Sequence, residues 1–229
     1  MGGISLGLKA QISPERSLST SQLDAFLTSP LFSGFADPAK RYEKGSDVLK
    51  DAEFWLPLIA LYTGARMGEL LQLRGGDFEF GQTCSYFAIQ PDSQLKNNQS
   101  ARDVPIHADL LEWGLKEFVL KANPKERVFD SIKLSSPKLT SYYSQLFSRY
   151  LTNAKLKTDG FVFHSFRHTF LDAARNANIE EAKCRKIVGH SSNSPHEGYG
   201  KGADIQNLFD QIQKINFGLS AETRGILNP

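Results

Sequence analysis

The stretch FVFHSFRHTF, residues 161–170, holds His164, Arg167 and His168 beside Phe163, Phe166 and Phe170. Imidazole exchanges protons near neutral pH, and guanidinium keeps its charge there, so these residue types can do chemistry. A helix explains their spacing. At about 100° per residue the phenylalanines fall on one side and the basic groups on the other. The aromatic side can seat the helix in a core while the basic side projects elsewhere. One alternative is metal binding by His164 and His168 at i, i+4. No glutamate follows the first histidine as in HExxH, and no carboxylate ligand is evident, so metal is the weaker reading. The plainest alternative is a polar helix face with His164 satisfied by a backbone carbonyl.

Three further stretches hold reactive side chains. Arg66 stands in TGARMGEL, at a glycine-flanked break between two helical patterns, where an arginine could point into a cleft. It could equally be a surface arginine paired with Glu69 at i+3. The glycines do not make a phosphate loop, because GxxxxGK[ST] is absent. Lys96 lies in SQLKNNQSARDVPIH and reads either as a solvated turn lysine or as a proton donor carried on a hairpin. In GHSSNSPHEGYGKG, Tyr199 follows His190 by nine residues and is set among glycines, and reads either as an exposed turn residue or as a functional tyrosine that is mobile and reachable.

The elements that must position these groups are mostly helices. LSTSQLDAFLTSP predicts a first helix capped by Ser19 or Thr20 and stopped by Pro30. A second spans about 50–62 and ends at Gly64, and GARMGELLQL restarts a third with Met67, Leu70, Leu71 and Leu73 as its apolar positions. DFEF, CSYFAIQ and RDVPIH predict a small antiparallel sheet over 77–107, with the polar PDSQLKNNQSA as a turn. Helical texture returns at 108–121, 139–153 and 163–177, then in EEAKCRKIVG and in ADIQNLFDQIQKI. In the last of these, Ile205, Leu208, Phe209, Ile212 and Ile215 form one apolar stripe. The stripe can pack on its own core. The fold class is mainly α with a small antiparallel β-sheet (α+β).

Composition narrows the function classes. With 229 residues the chain suits one large domain, or a domain with an arm. The net charge of +2 is too small to announce nucleic acid by itself. Cys84 and Cys184 form neither a metal spacing nor a disulfide framework and suit a reducing compartment. FWLPLIALY, residues 54–62, is too short to span a membrane and carries Pro57. No secretory signal precedes it, so a cytoplasmic protein is expected. Residues 1–17, rich in Gly and Ser, read as a leader or linker stub.

Each candidate is unremarkable alone, but their order is not. Arg66, Lys96, His164-x-x-Arg167, Gly189-His190 and Tyr199, in the contexts TGARMGEL, RDVPIH, HSFRHTF and VGHSS, resemble the tyrosine recombinases, or phage integrases. The resemblance covers about residues 18–217 and implies that 18–229 is a catalytic domain. Relatives usually carry a separate helical DNA-clamping domain before it. Only some 17 residues precede it here, so the chain reads as the catalytic half of a longer integrase or as a naturally short relative.

The resemblance implies site-specific cutting and rejoining of double-stranded DNA attachment sites through a 3′-phosphotyrosine, with no cofactor and no metal. Tyr199 would be the nucleophile. Arg66 and Arg167 would clamp the phosphate, and His190 would donate to it. Lys96 would protonate the leaving oxygen, and His164 would take the tyrosine proton or orient the phosphate. Glu69 would hold Arg66, and His168 would support the site from behind. The implied partners are DNA and other protomers in a tetrameric synapse, at the nucleoid of a bacterial host, and in relatives the segment after the tyrosine often docks on a neighbouring protomer, a second reading of the 205–215 stripe. The alternatives are a catalytically silent integrase-like DNA-binding module and, more weakly, a metal-dependent nuclease.

Overall fold

The computed structural model describes residues 16–90, 101–132, 139–189 and 203–228. Lys96, His190 and Tyr199 lie outside these residues, as do the predicted leader up to residue 15 and the glycine-rich surroundings of Tyr199.

The chain enters helix α1 (Thr20–Leu27) through Ser19. Ser19 Oγ accepts from the Gln22 amide at 3.2 Å, and Gln22 Oε1 accepts from the Ser19 amide at 2.9 Å, a reciprocal cap. Pro30 does not simply stop the run as expected. It opens a second short helix, α2 (Pro30–Ser33), as its first residue. The N–H that proline lacks would be unpaired there in any case.

Helix α3 (Ala52–Thr63) is capped by Asp51, and every one of its residues from Phe54 to Thr63 is buried. It packs against α2 and later elements on all sides, which is why Pro57 is tolerated inside it: one ladder bond is lost in a fully packed helix. Helix α4 (Met67–Leu70) is a single turn, shorter than GARMGELLQL predicts. Long-range pairing ends it. The Leu73 carbonyl accepts from Val128 N at 2.9 Å, and Gly75 N donates to the Glu126 carbonyl at 3.1 Å, which needs extended chain.

The predicted sheet is present as the antiparallel meander β1 (Phe78–Phe80), β2 (Ser85–Ile89) and β3 (Arg102–Pro105). Phe78, Phe87 and Val104 stand in register and form its buried face. The expected helix over 108–121 is two pieces, α5 (Ala108–Glu112) and α6 (Leu115–Val119), broken at Gly114 with φ 96°. Next come α7 (Leu139–Asn153), α8 (Ser165–Asn176), α9 (Glu181–Val188), α10 (Ala203–Ile212) and a short α11 (Ala221–Leu227) that the periodicity did not reveal.

Helix α8 lies between α3 and an aromatic cluster centred on Phe26. The Phe26 ring meets those of Phe32, Phe147, Phe161 and Phe166 at 5.2, 5.9, 5.8 and 5.4 Å. The lead-in residues tie to the outer side of α8, where Leu18 N donates to Thr169 Oγ1 at 2.8 Å.

Of the two readings of the terminal stripe, the structure takes packing on its own chain. Leu208, Ile212 and Ile215 are buried, and α10 lies on β3 and β2. Gln213 Oε1 accepts from Ala108 N at 2.9 Å. The Phe217 ring stands 4.8 Å from Tyr62, and Asp24 Oδ1 accepts from Ser220 N at 3.0 Å and Thr223 Oγ1 at 2.6 Å. The stripe is therefore a core face in this structure of the single chain. Among the described residues no helix is long and apolar enough to cross a membrane.

Candidate active site

The site begins where α3 ends. Gly64 closes that helix with φ 63°, a backbone state that side chains rarely adopt. A Cβ there would stand 2.7 Å from Phe170 and 2.9 Å from Val188, so only glycine lets α3, α8 and α9 come this close. Arg66 follows in extended backbone, just before α4. Its amide donates to Glu69 Oε2 at 2.8 Å, its Nη1 to Glu69 Oε1 at 2.9 Å and its Nη2 to the Gly189 carbonyl at 3.3 Å. The i, i+3 pair considered from sequence is thus real, but Arg66 is also tied to the end of α9.

Glu69 has a second cation that the sequence reading missed. Arg102, the first residue of β3, places Nη1 and Nη2 at 3.1 and 2.9 Å from the two Glu69 oxygens. Its Nε donates to the Ile187 carbonyl at 2.7 Å, and its side chain is 6% exposed. Burial alone would raise the Glu69 carboxyl. The bonds and charge of Arg102 and the bonds of Arg66 outweigh it and hold the group below its ordinary value. The only sequence signal for Arg102 was a charged residue at the mouth of an apolar strand.

Helix α8 supplies the rest. Phe163, Phe166 and Phe170 are buried as predicted, but the helix proper starts at Ser165, and His164 precedes it with helical dihedrals. Arg167 is 3% exposed and lines the cleft from within the fold. Its Nη1 donates to the Gly64 carbonyl at 2.6 Å and the Val188 carbonyl at 2.7 Å. Its Nη2 is buried with no hydrogen-bond partner among the described residues. Burial, then the charges of Arg66 and Arg102, bring its pKa down to about 10, so it stays cationic at neutral pH.

The His164 and His168 rings meet edge to face at 4.9 Å. His164 is pushed down by burial and then by the charges of His168, Arg167, Arg66 and Arg16, which keeps it neutral at pH 7 and able to accept a proton. His168 is lowered by burial and by Arg16 and Arg167, against the opposing charge of Asp172.

Arg66, His164 and Arg167 line one open cleft of about 580 Å³, whose opposite wall is the polar side of α7 with Thr140, Ser144 and Gln145. So three of the six predicted site residues converge, with Glu69 and His168 behind them. The other three, Lys96, His190 and Tyr199, lie outside the described residues. Among the described residues, no group of three or more His, Cys, Asp and Glu side chains could hold a metal ion.

The phage integrase family model matches residues 43–203, an interval holding all six predicted positions and most of the chain. The chain belongs to the phage integrase family. Solved structures agree on the fold of this integrase-family chain, that of tyrosine recombinase catalytic domains. It is similar to the XerH site-specific recombinase bound to palindromic difH substrate in a post-cleavage complex, with 24% identity and a TM-score of 0.54, over 77% of this chain and 46% of that one. The integrase from mycobacterium phage Brujita is 15% identical with a TM-score of 0.58, over 94% of this chain and 64% of that one. The Tn1549 transposon integrase in complex with transposon right-end DNA is 20% identical with a TM-score of 0.56, over 81% of this chain and 61% of that one. This integrase-family chain therefore spans less than two thirds of each of these proteins. A comparison with curated protein sequences finds no match.

Proposed function

We propose that this chain is the catalytic part of a site-specific DNA recombinase, residues 18–229, which cuts and rejoins strands through a phosphotyrosine at Tyr199. The observation that carries the reading is the environment of Arg167. Among the described residues this buried guanidinium is bonded only to carbonyls and one of its nitrogens has no partner, which suits a desolvated positive charge that meets an anion. Arg66 stands in the same cleft with 44% of its side chain exposed. Two guanidiniums with fixed geometry suit the nonbridging oxygens of a phosphodiester, where negative charge grows during attack.

In this reading the Tyr199 phenol oxygen forms a bond to phosphorus while the bond from phosphorus to the 5′-oxygen breaks. Neutral His164 takes the phenol proton, and Lys96 gives a proton to the leaving 5′-oxygen. An ammonium near two arginines releases its proton more readily, because like charges disfavour it. The same positive surroundings favour phenolate. His190 donates a further hydrogen bond to the phosphate. The 3′-phosphotyrosine keeps the energy of the phosphodiester, so attack by a 5′-hydroxyl reverses the step without a nucleotide cofactor. The partners in this reading are duplex attachment sites and further protomers in a four-part synapse, in a bacterial cytoplasm.

A DNA substrate nicked next to the cut, so that the released fragment diffuses away, tests the reading. The wild-type chain should form a covalent protein–DNA adduct, in EDTA as well as without it, and Tyr199→Phe should form none. The same adduct from Tyr199→Phe would exclude Tyr199 as nucleophile. Binding to duplex with no adduct from the wild type would make the chain a silent DNA-binding module.

A further inference from the structure

Arg102 has no place in the mechanism above, yet it is tied to the same framework as Arg66. Its fork spans both oxygens of Glu69, its Nε holds the Ile187 carbonyl in the last turn of α9, and a Cβ on Gly189 would stand only 2.4 Å from its Nη1. Gly189 is also where Arg66 Nη2 makes its contact. So one buried guanidinium braces the carboxylate that holds Arg66, the end of α9 and the residue before His190. It opens β3, and Lys96 falls in the stretch of sequence between β2 and β3.

We propose that Arg102 is a positioning residue that neutralises Glu69 and thereby leaves the charge of Arg66 available to an anion in the cleft. The charges require something of this kind. Glu69 lies 2.9 Å from Arg66 and would cancel it one for one if it had no other cation. With Arg102 equally close, at 2.9 Å, two guanidiniums share one carboxylate. The carboxylate then orients Arg66 through its amide and Nη1 without consuming its charge. Arg102 is the buried partner of the two and Arg66 the half-exposed one, so, counting the described residues, the second positive charge is left on the side of the cleft. A lysine could supply the charge but not the fork, because an ammonium cannot span two oxygens and a carbonyl in one plane.

This inference rests on reading the cleft as a phosphate site, so its test has an arm that needs no DNA chemistry. The first arm titrates the chain with inorganic phosphate at neutral pH and follows the Nε–Hε resonances of Arg66 and Arg167. The second measures single-turnover cleavage of the nicked DNA at saturating protein, well below the melting transition of each variant. Arg102→Gln should weaken phosphate by about tenfold and slow cleavage by about a hundredfold, the size of losing one aligned donor. Adding Glu69→Gln to it should bring phosphate affinity back to within about threefold of wild type, since the competing carboxylate is gone, while cleavage stays at least about tenfold slow because Arg66 is no longer aligned. Arg102→Lys covers the case in which the glutamine variant does not fold. It should bind phosphate within about threefold of wild type and cleave at least about tenfold more slowly. The inference is overturned if wild type shows no phosphate response at these arginines, if Arg102→Gln behaves as wild type in both arms, if the double variant binds no better than the single, or if Arg102→Lys cleaves at the wild-type rate. Absence of cleavage by the wild type would instead remove the recombinase reading and leave the phosphate arm to decide this one.

Discussion

The carbonyl oxygen of Gly64 and Nη1 of Arg167 meet at 2.6 Å, joining two points 103 residues apart in the chain. The same nitrogen reaches the Val188 carbonyl. Gly64 caps the C-terminus of α3, and Val188 is the last residue of α9. Both helices turn their negative ends toward one guanidinium. Partial charges of this kind hold a buried cation in place without cancelling it as a carboxylate would. Arg167 is thus fixed by carbonyls and keeps its full charge.

Arg167→Ala should therefore separate catalysis from binding. Single-turnover cleavage should fall by about 10²–10³-fold, as for removal of an aligned oxyanion donor. Affinity for duplex, measured by fluorescence anisotropy, should fall by less than about threefold, because many phosphate contacts share it. Equal losses in the two measurements would make Arg167 a DNA contact only.

Gly64→Ala should destabilise the fold by about 1–3 kcal/mol, through both a left-handed backbone and crowding against Phe170 and Val188. Urea denaturation measures it. A midpoint equal to that of wild type would mean that α8 and α9 yield to the extra methyl.

Deleting residues 203–229 should abolish cooperative unfolding and not leave a folded monomer. The deletion strips Leu208, Ile212 and Ile215 from the sheet and Phe217 from Tyr62. A sharp thermal transition by circular dichroism in the truncated chain would contradict this.

The histidines set the acid side of the pH profile. His107 is lowered by burial, against the opposing charge of Asp109, and His164 and His168 are lowered as described above. Between their lowered values and the ordinary value near 6.5, the unfolded chain binds more protons than the folded one. Stability should therefore rise with pH through that window and fall as pH drops through it, read as melting temperature against pH. If His164 accepts the tyrosine proton, the cleavage rate should stay level as pH falls to about 6.5 and decline only below it. A decline that begins well above that value would remove His164 from the role.

How much of this was legible in the sequence depended on range. The Ser19 cap, the end of α3 at Gly64 and the meander from Phe78 to Pro105 follow from local rules, and those rules read them. Pro30 was legible as punctuation but not as what it punctuates, and the break at Gly114 was not read at all. Helix α4 stops early because Leu73 pairs with Val128, a partner that no window around α4 contains. The aromatic side of α8 was read correctly from its period. A period tells which groups share a face but not what lies opposite, and so it did not show that the ends of α3 and α9 cover Arg167. Arg102 was missed for the same reason: its carboxylate partner is 33 residues away, and strand alternation says nothing of it.

The Asp24 contacts also bear on when the cleft can exist. Asp24 lies in α1, and its partner Ser220 is synthesised 196 residues later. Until then α1, whose Phe26 backs α8, lacks its closing contacts. The support behind Arg167 is therefore complete only after the ribosome has passed Thr223.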